Sequence, residues 1–133
     1  MRQDEQVDFA MRYDRWYRPL ATVLGMGPKR TMIRVAGNTL HVKHGWAFQL
    51  DVPLDDITFA RRISGRPFSW GVHTGGDVWL VNASRDGIVE LKLARPVTSK
   101  SVKRQSHSWG EVRSLFLSLE DPDSFVAEVG PHT

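Results

Sequence analysis

The sequence predicts a mainly β domain: a small antiparallel β-barrel of about seven to eight strands, with a C-terminal capping helix and an N-terminal strand and short helix. Three observations predict it. Apolar and polar residues alternate with period two through most of residues 31–119. Turn-forming pairs such as Gly37-Asn38 and Gly75-Gly76 separate the alternating runs. Helical spacing is confined to "PLATVLG" near the start and "PDSFVAEVG" at the end. Curling the sheet would remove its edges, and the last helix would cover one open end.

At 133 residues the chain fits a single domain, residues 1–133, read as an extension (1–28) followed by the barrel and capping helix (29–130). Hydrophobic residues make up 41% and charged residues 25%, the balance of a globular protein. The absence of cysteine excludes disulfides, thiolate metal sites and a cysteine nucleophile together. "MRQDEQVDFA" carries three acids and no apolar centre, so it does not read as a signal peptide. "PLATVLGMGP", the longest nearly apolar run, is too short to cross a bilayer. The expectation is a cytoplasmic protein without a cofactor.

"VDFAMRY" alternates Val7, Phe9, Met11 and Tyr13 against polar neighbours and reads as a strand. Asp14 then offers a cap for a helix that starts near Pro19 and stops at Gly25, with Gly27-Pro28 as a break. "TMIRVAGNTLHVKHG" is a hairpin about Gly37-Asn38, with Leu40, Val42 and His44 on one face and His41 and Lys43 on the other. "WAFQLDV" points Trp46, Phe48 and Leu50 inward and ends at Pro53; "ITFARRI" follows. "SWGVHT" and "DVWLVNA" flank Gly75-Gly76 as a second hairpin. "GIVELKLARP" offers Val89, Leu91 and Leu93 to the core, and "VRSLFLSL" offers Leu115, Leu117 and Leu119. In "EDPDSFVAEVG" the acidic first turn, Pro122, and Phe125, Val126 and Val129 at helical spacing define the last helix, ended by Gly130.

This order, with its ending "FLSLEDPDSFVAEV", resembles the bacterial pleckstrin-homology-like domains. More narrowly, "GPKRTMIRVAGNTLHVKHGWAFQLDVPLDDI" and "WGVHTGGDVWLVNASRDGIVEL" resemble a group of small uncharacterised proteins of high-GC bacteria. The resemblance spans roughly residues 25–129, its most specific part being the "WLVN" core with the serine, glycine, valine and leucine that follow. It implies a bent barrel of about seven strands and a capping helix, and it brings no activity with it.

No pattern for chemistry stands out. His41 and His44 are three apart in a segment of strand period and so point to opposite faces, which rules them out as a chelating pair. No serine sits in a nucleophile elbow, and "GVHTGG" lacks the Lys-Ser/Thr ending of a phosphate loop. Asp55-Asp56 fall at a turn, where carboxylates bond backbone amides. Neither a catalytic nor a metal-ligating set is assigned.

Two candidate sites remain. With Gly75-Gly76 as the turn, Trp70, Val72, Trp79 and Val81 form a core face, while His73, Val78, Leu80 and Asn82 form a face neither clearly wet nor clearly dry. His73, Leu80 and Asn82 are the candidate ligand contacts there, unless the N-terminal segment covers them. Residues 92–113 hold six Lys or Arg against Glu111, a net +5 within a chain of net +3. In that segment Lys100, Lys103 and Arg104 are the candidate anion contacts. The expected function is a non-catalytic binding module for a protein, peptide or lipid-like ligand. The main alternative is an anionic membrane surface, ahead of nucleic acid, bound through 92–113. A small enzyme centred on His73 is the third reading.

Overall fold

The structure, a computed structural model of the chain, describes residues 6–46, 48–64, 71–98 and 110–130. It is mainly β, in two sheets, with two α-helices. The first sheet runs β1 (Gln6–Phe9), β2 (Thr31–Ala36), β3 (Thr39–His44), β4 (Phe48–Pro53), in chain order and antiparallel throughout. The second contains β5 (Ile57–Arg62), β6 (Gly71–Gly75), β7 (Val78–Asn82), β8 (Ile88–Thr98) and β9 (Glu111–Ser118), in the order β5-β8-β9-β7-β6. Helix α1 (Tyr17–Val23) links β1 to β2, and α2 (Pro122–Val129) follows β9.

Alternation places the strands as expected. Leu40, Val42 and His44 are buried on one face of β3; Phe48, Leu50 and Val52 follow suit on β4, as do Leu115 and Leu117 on β9 and Leu119 just past it. Trp79 and Val81 of β7 join them. Both sheets feed one cluster, so the hydrophobic gain of each face depends on the other. Trp46 departs from the expected pattern: it stands half-buried on the turn after β3 rather than in the core.

The barrel expectation is corrected. The sheets are not closed into a barrel: a 3-10 turn, Leu54–Asp56, carries the chain out of the first sheet, and β5 then pairs with β8 rather than β4. The all-antiparallel expectation is corrected too, because β7 pairs with β9 in parallel, Val78 opposite Ser114 through Val81 opposite Leu117. The cause is that the long β8–β9 pairing fills one side of β9 and leaves its other edge to β7. The Asp77 carbonyl fixes the start of that ladder by accepting from the backbone N–H groups of Arg113 and Ser114 at 2.8 and 3.2 Å.

The second hairpin turns one residue later than expected, on Gly76-Asp77. Gly75 pairs with Val78, His73 with Leu80, and Val72 with Val81. Gly76 has φ 66°, as a first central turn residue with positive φ requires, so Gly75 is released to the strand. A turn displaced by one residue moves each partner by two, and the division of side chains between faces survives. Trp70, expected to face Val81, lies outside the described residues.

Residues 6–28 are woven into the domain. β1 is an edge strand of the first sheet, while Met11 and Tyr13 bridge to Leu119 and Ala83 of the second. The N-cap position of α1 is Trp16; the Asp14 carbonyl accepts from the Tyr17 and Arg18 amides, and its Oδ1 accepts from Ser84. At the other end Asp121 is the N-cap of α2, accepting from the Ser124 amide and hydroxyl at 3.2 and 2.7 Å. Phe125 is fully buried and meets Phe9 edge-on, with ring centroids 5.2 Å apart.

Candidate functional site

Asn82 is fully buried, its Nδ2 donating to the Ser84 carbonyl at 2.8 Å. That is the geometry of a structural partner at the end of β7, with the Asp14–Ser84 bond close by. His73 and Leu80 are cross-strand neighbours, Leu80 half-buried. The His73 side chain lies outside what the structure describes. Along this face the solvent gradient runs from Val78, 41% exposed beside the turn, to Asn82, fully enclosed.

The basic segment 92–113 divides. Three of its cations are engaged: Lys92 Nζ donates to Ser114 Oγ at 3.2 Å, Arg95 pairs with Asp56 at 3.3 Å, and Arg113 donates to the Ala94 carbonyl at 3.3 Å. Lys100, Lys103 and Arg104 lie outside the described residues.

A different cluster is brought together where α1, the start of β2 and the end of β3 meet. Lys29 and Arg30 form part of the 3-10 turn Pro28–Arg30, which enters β2. Thr31 pairs with His44, and Met32 with Lys43, so the ends of β2 and β3 stand side by side. Lys29, Arg30, Lys43 and Trp46 then line a cleft of about 370 Å³, with Thr31, Met32 and Gly45 completing it. A second cleft, about 290 Å³, lies on the far side of Lys29 and Arg30 and adds Arg18, Thr22, Gly27 and Pro28. Among the described residues no carboxylate lines either cleft.

Two contacts hold this corner rigid. Trp46 Nε1 donates to the Leu24 carbonyl at 2.8 Å, and the Gly45 amide donates to the Arg30 carbonyl at 2.8 Å. Gly45 has φ 57°, and a Cβ there would strike the Gly25 carbonyl oxygen and lie 2.7 Å from Met26 Cγ. Only glycine lets the turn approach the end of α1 so closely.

A part-buried polar chain adjoins the cleft at Thr31. Tyr13 Oη donates to the Met26 carbonyl at 2.7 Å. Thr31 Oγ1 donates to the Gly27 carbonyl at 3.0 Å and lies 2.8 Å from Tyr13 Oη. His44 Nδ1 lies 3.0 Å from Thr31 Oγ1 and so joins the same chain. Its Nε2 is buried without a hydrogen-bonding partner among the described residues. Burial lowers the His44 pKa from 6.5 to about 4, and burial likewise raises that of Tyr13. This histidine is held neutral as part of the scaffold, facing away from His41, which bonds Asp51 on the opposite side of the sheet at 2.6 Å.

Among the described residues, Lys29, Arg30, Lys43 and Arg18 make no salt bridge. Arg34, also in this region, is committed to Asp8 at 2.6 Å, and its guanidinium holds the Asp8 carboxyl below the usual range. The cleft was not among the candidates read from the sequence because its cations come from three separated segments. A signal exists: between Asp14 and Asp51 there is no acidic residue and there are six Lys or Arg.

No family model, no curated protein and no solved structure matches the chain. Among the described residues no helix is long and apolar enough to cross a membrane.

Proposed function

We propose that this chain is a non-catalytic, cytoplasmic binding module that recognises an anionic group in the cleft of Lys29, Arg30, Lys43 and Trp46. One observation carries the reading: three cations without salt bridges among the described residues converge on a concave site with an indole wall and no carboxylate. Like charges held together attract a counter-charge, and a concave setting concentrates their field. Among the described residues the lining holds no histidine, carboxylate or serine to move a proton or attack a substrate. Thr31, its one hydroxyl, is occupied by the Gly27 carbonyl.

Kinship with the pleckstrin-like modules belongs to the same proposal. The succession of strand, acidic turn and helix at residues 111–129 supports it. The parallel β7–β9 pair departs from that pattern.

Titration of the whole protein with inorganic tripolyphosphate, followed by Trp fluorescence and backbone amide shifts, tests the cleft. Saturable binding that weakens with salt, with shifts centred on residues 29–31 and 43–46, is expected. Replacing Lys29, Arg30 and Lys43 together by Ser lowers affinity by about tenfold or more. Equal affinity in that variant, or shifts confined elsewhere, overturns the reading.

A further inference from the structure

Helix α1 buries Tyr17 and Ala21, four residues apart, and turns an apolar stripe outward. Trp16 is 56% exposed, Leu20 47%, Val23 84% and Leu24 48%. At spacings of four, three and one they share a single helical face. Single exposed apolar residues are ordinary; four along α1 and its two cap positions make an exposed patch. The patch also continues into the basic cleft, because Leu24 carries the carbonyl that Trp46 binds. Arg18 of α1, with Lys29 and Arg30, lines the neighbouring cleft.

We propose that this corner docks on an anionic lipid bilayer, with the α1 stripe entering the interfacial layer and Lys29, Arg30 and Lys43 meeting the headgroups. The proposal rests on the anion-binding reading of the cleft and names the source of the anion. Charge complementarity decides the occupant. A protein partner's interface core is depleted in lysine, whereas here the cleft of Lys29, Arg30 and Lys43 adjoins the Leu24 end of the stripe through Trp46, with no acid between Asp14 and Asp51. A nucleic acid would answer the cations but leave Leu20 and Val23 facing phosphodiester and water. Only a bilayer offers an acyl boundary and anionic groups side by side, and a half-exposed indole suits its interface. A seven-residue helix inserts too little apolar surface to anchor alone, so the two contributions act together. Each cation contributes about fivefold in partitioning.

The test is co-sedimentation of the full chain with phosphatidylcholine vesicles, alone or with about one-third phosphatidylglycerol. Binding to the mixed vesicles, falling steeply with salt and shifting Trp emission to the blue, is expected, with little binding to phosphatidylcholine alone. Val23→Asp, at a position exposed enough to leave the fold intact, reduces vesicle binding by about tenfold while tripolyphosphate affinity stays unchanged. Replacing Lys29, Arg30 and Lys43 by Ser reduces both.

Vesicle binding that Val23→Asp leaves intact overturns the docking. So does tripolyphosphate binding without vesicle binding, which spares the cleft reading. Failure to bind either probe overturns both. Sedimentation equilibrium showing self-association abolished by Val23→Asp, without vesicle binding, assigns the stripe to a second copy instead. Duplex DNA binding indifferent to Val23→Asp, again without vesicle binding, assigns the cations to nucleic acid.

Discussion

Trp46 and Leu24 are joined by a hydrogen bond of 2.8 Å from the indole Nε1 to the backbone carbonyl, and this bond ties the turn after β3 to the end of α1. Trp46→Phe keeps an aromatic wall but removes the donor. Because the Leu24 carbonyl can turn to water, the variant loses only about 0.5–1.5 kcal/mol of stability. Urea unfolding measures this, and tripolyphosphate affinity falls alongside as the wall loosens.

Gly45→Ala is the harsher change at the same corner. The added methyl strikes the Gly25 carbonyl oxygen, and the residue must also hold φ 57°. A loss of about 2 kcal/mol or more is expected. Gly76→Ala is the control: it shares the positive φ of 66° but has open space around the new Cβ, so its loss is the smaller in the same unfolding experiment.

Buried polar partners give a third expectation. Ser118 Oγ accepts from the Ala83 amide at 3.0 Å and donates to the Arg12 carbonyl at 2.9 Å, joining the N-terminal segment to the second sheet. Ser118→Ala strands both groups and costs about 1–3 kcal/mol. Asn82→Ala removes the donor to the Ser84 carbonyl and costs a similar amount. Thermal unfolding of each variant shows the loss; an unchanged midpoint for Asn82→Ala would mean the side chain is spare and return it to the candidates for ligand binding.

His44 makes stability depend on pH. Its folded pKa of about 4 lies below the unfolded 6.5, so the unfolded chain binds the extra proton between those values. The contribution is full above 6.5 and is lost as pH falls from there through about 4, a total of about 3 kcal/mol. The difference in urea midpoint between wild type and His44→Phe, followed across that window, isolates the effect. A difference that does not change with pH would contradict it.

How far the sequence reveals this molecule depends on the range of the interaction. The faces of β3, β4 and β9 were legible because period-two alternation is written into adjacent residues: Leu40, Val42 and His44, or Leu115 and Leu117. The Gly37-Asn38 hairpin was legible for the same local reason, and both residues adopt positive φ, 59° and 61°. The parallel β7–β9 ladder was not, because strand partners more than thirty residues apart leave no mark in either segment. The functional candidates split in the same way. His73, Leu80 and Asn82 drew attention by closeness in sequence, yet Asn82 is enclosed by Ser84. Lys29, Arg30 and Lys43 meet only after β2 and β3 pair, and only the acid-free run from Arg15 to Leu50 announces them.

The place of β9 has a consequence in time. Among the described residues it is the last strand in chain order, yet it lies at the middle of its sheet, between β8 and β7. Until residues 111–118 leave the ribosome, the β6–β7 hairpin has no ladder to join and the β5–β8 pair no inner neighbour. Met11 and Arg12 wait as well, since their backbone partners are Leu119 and Ser118. The nascent chain therefore completes its second sheet only once residues 111–118 have emerged, with the apolar faces of β7 and β8 uncovered until then and open to chaperones.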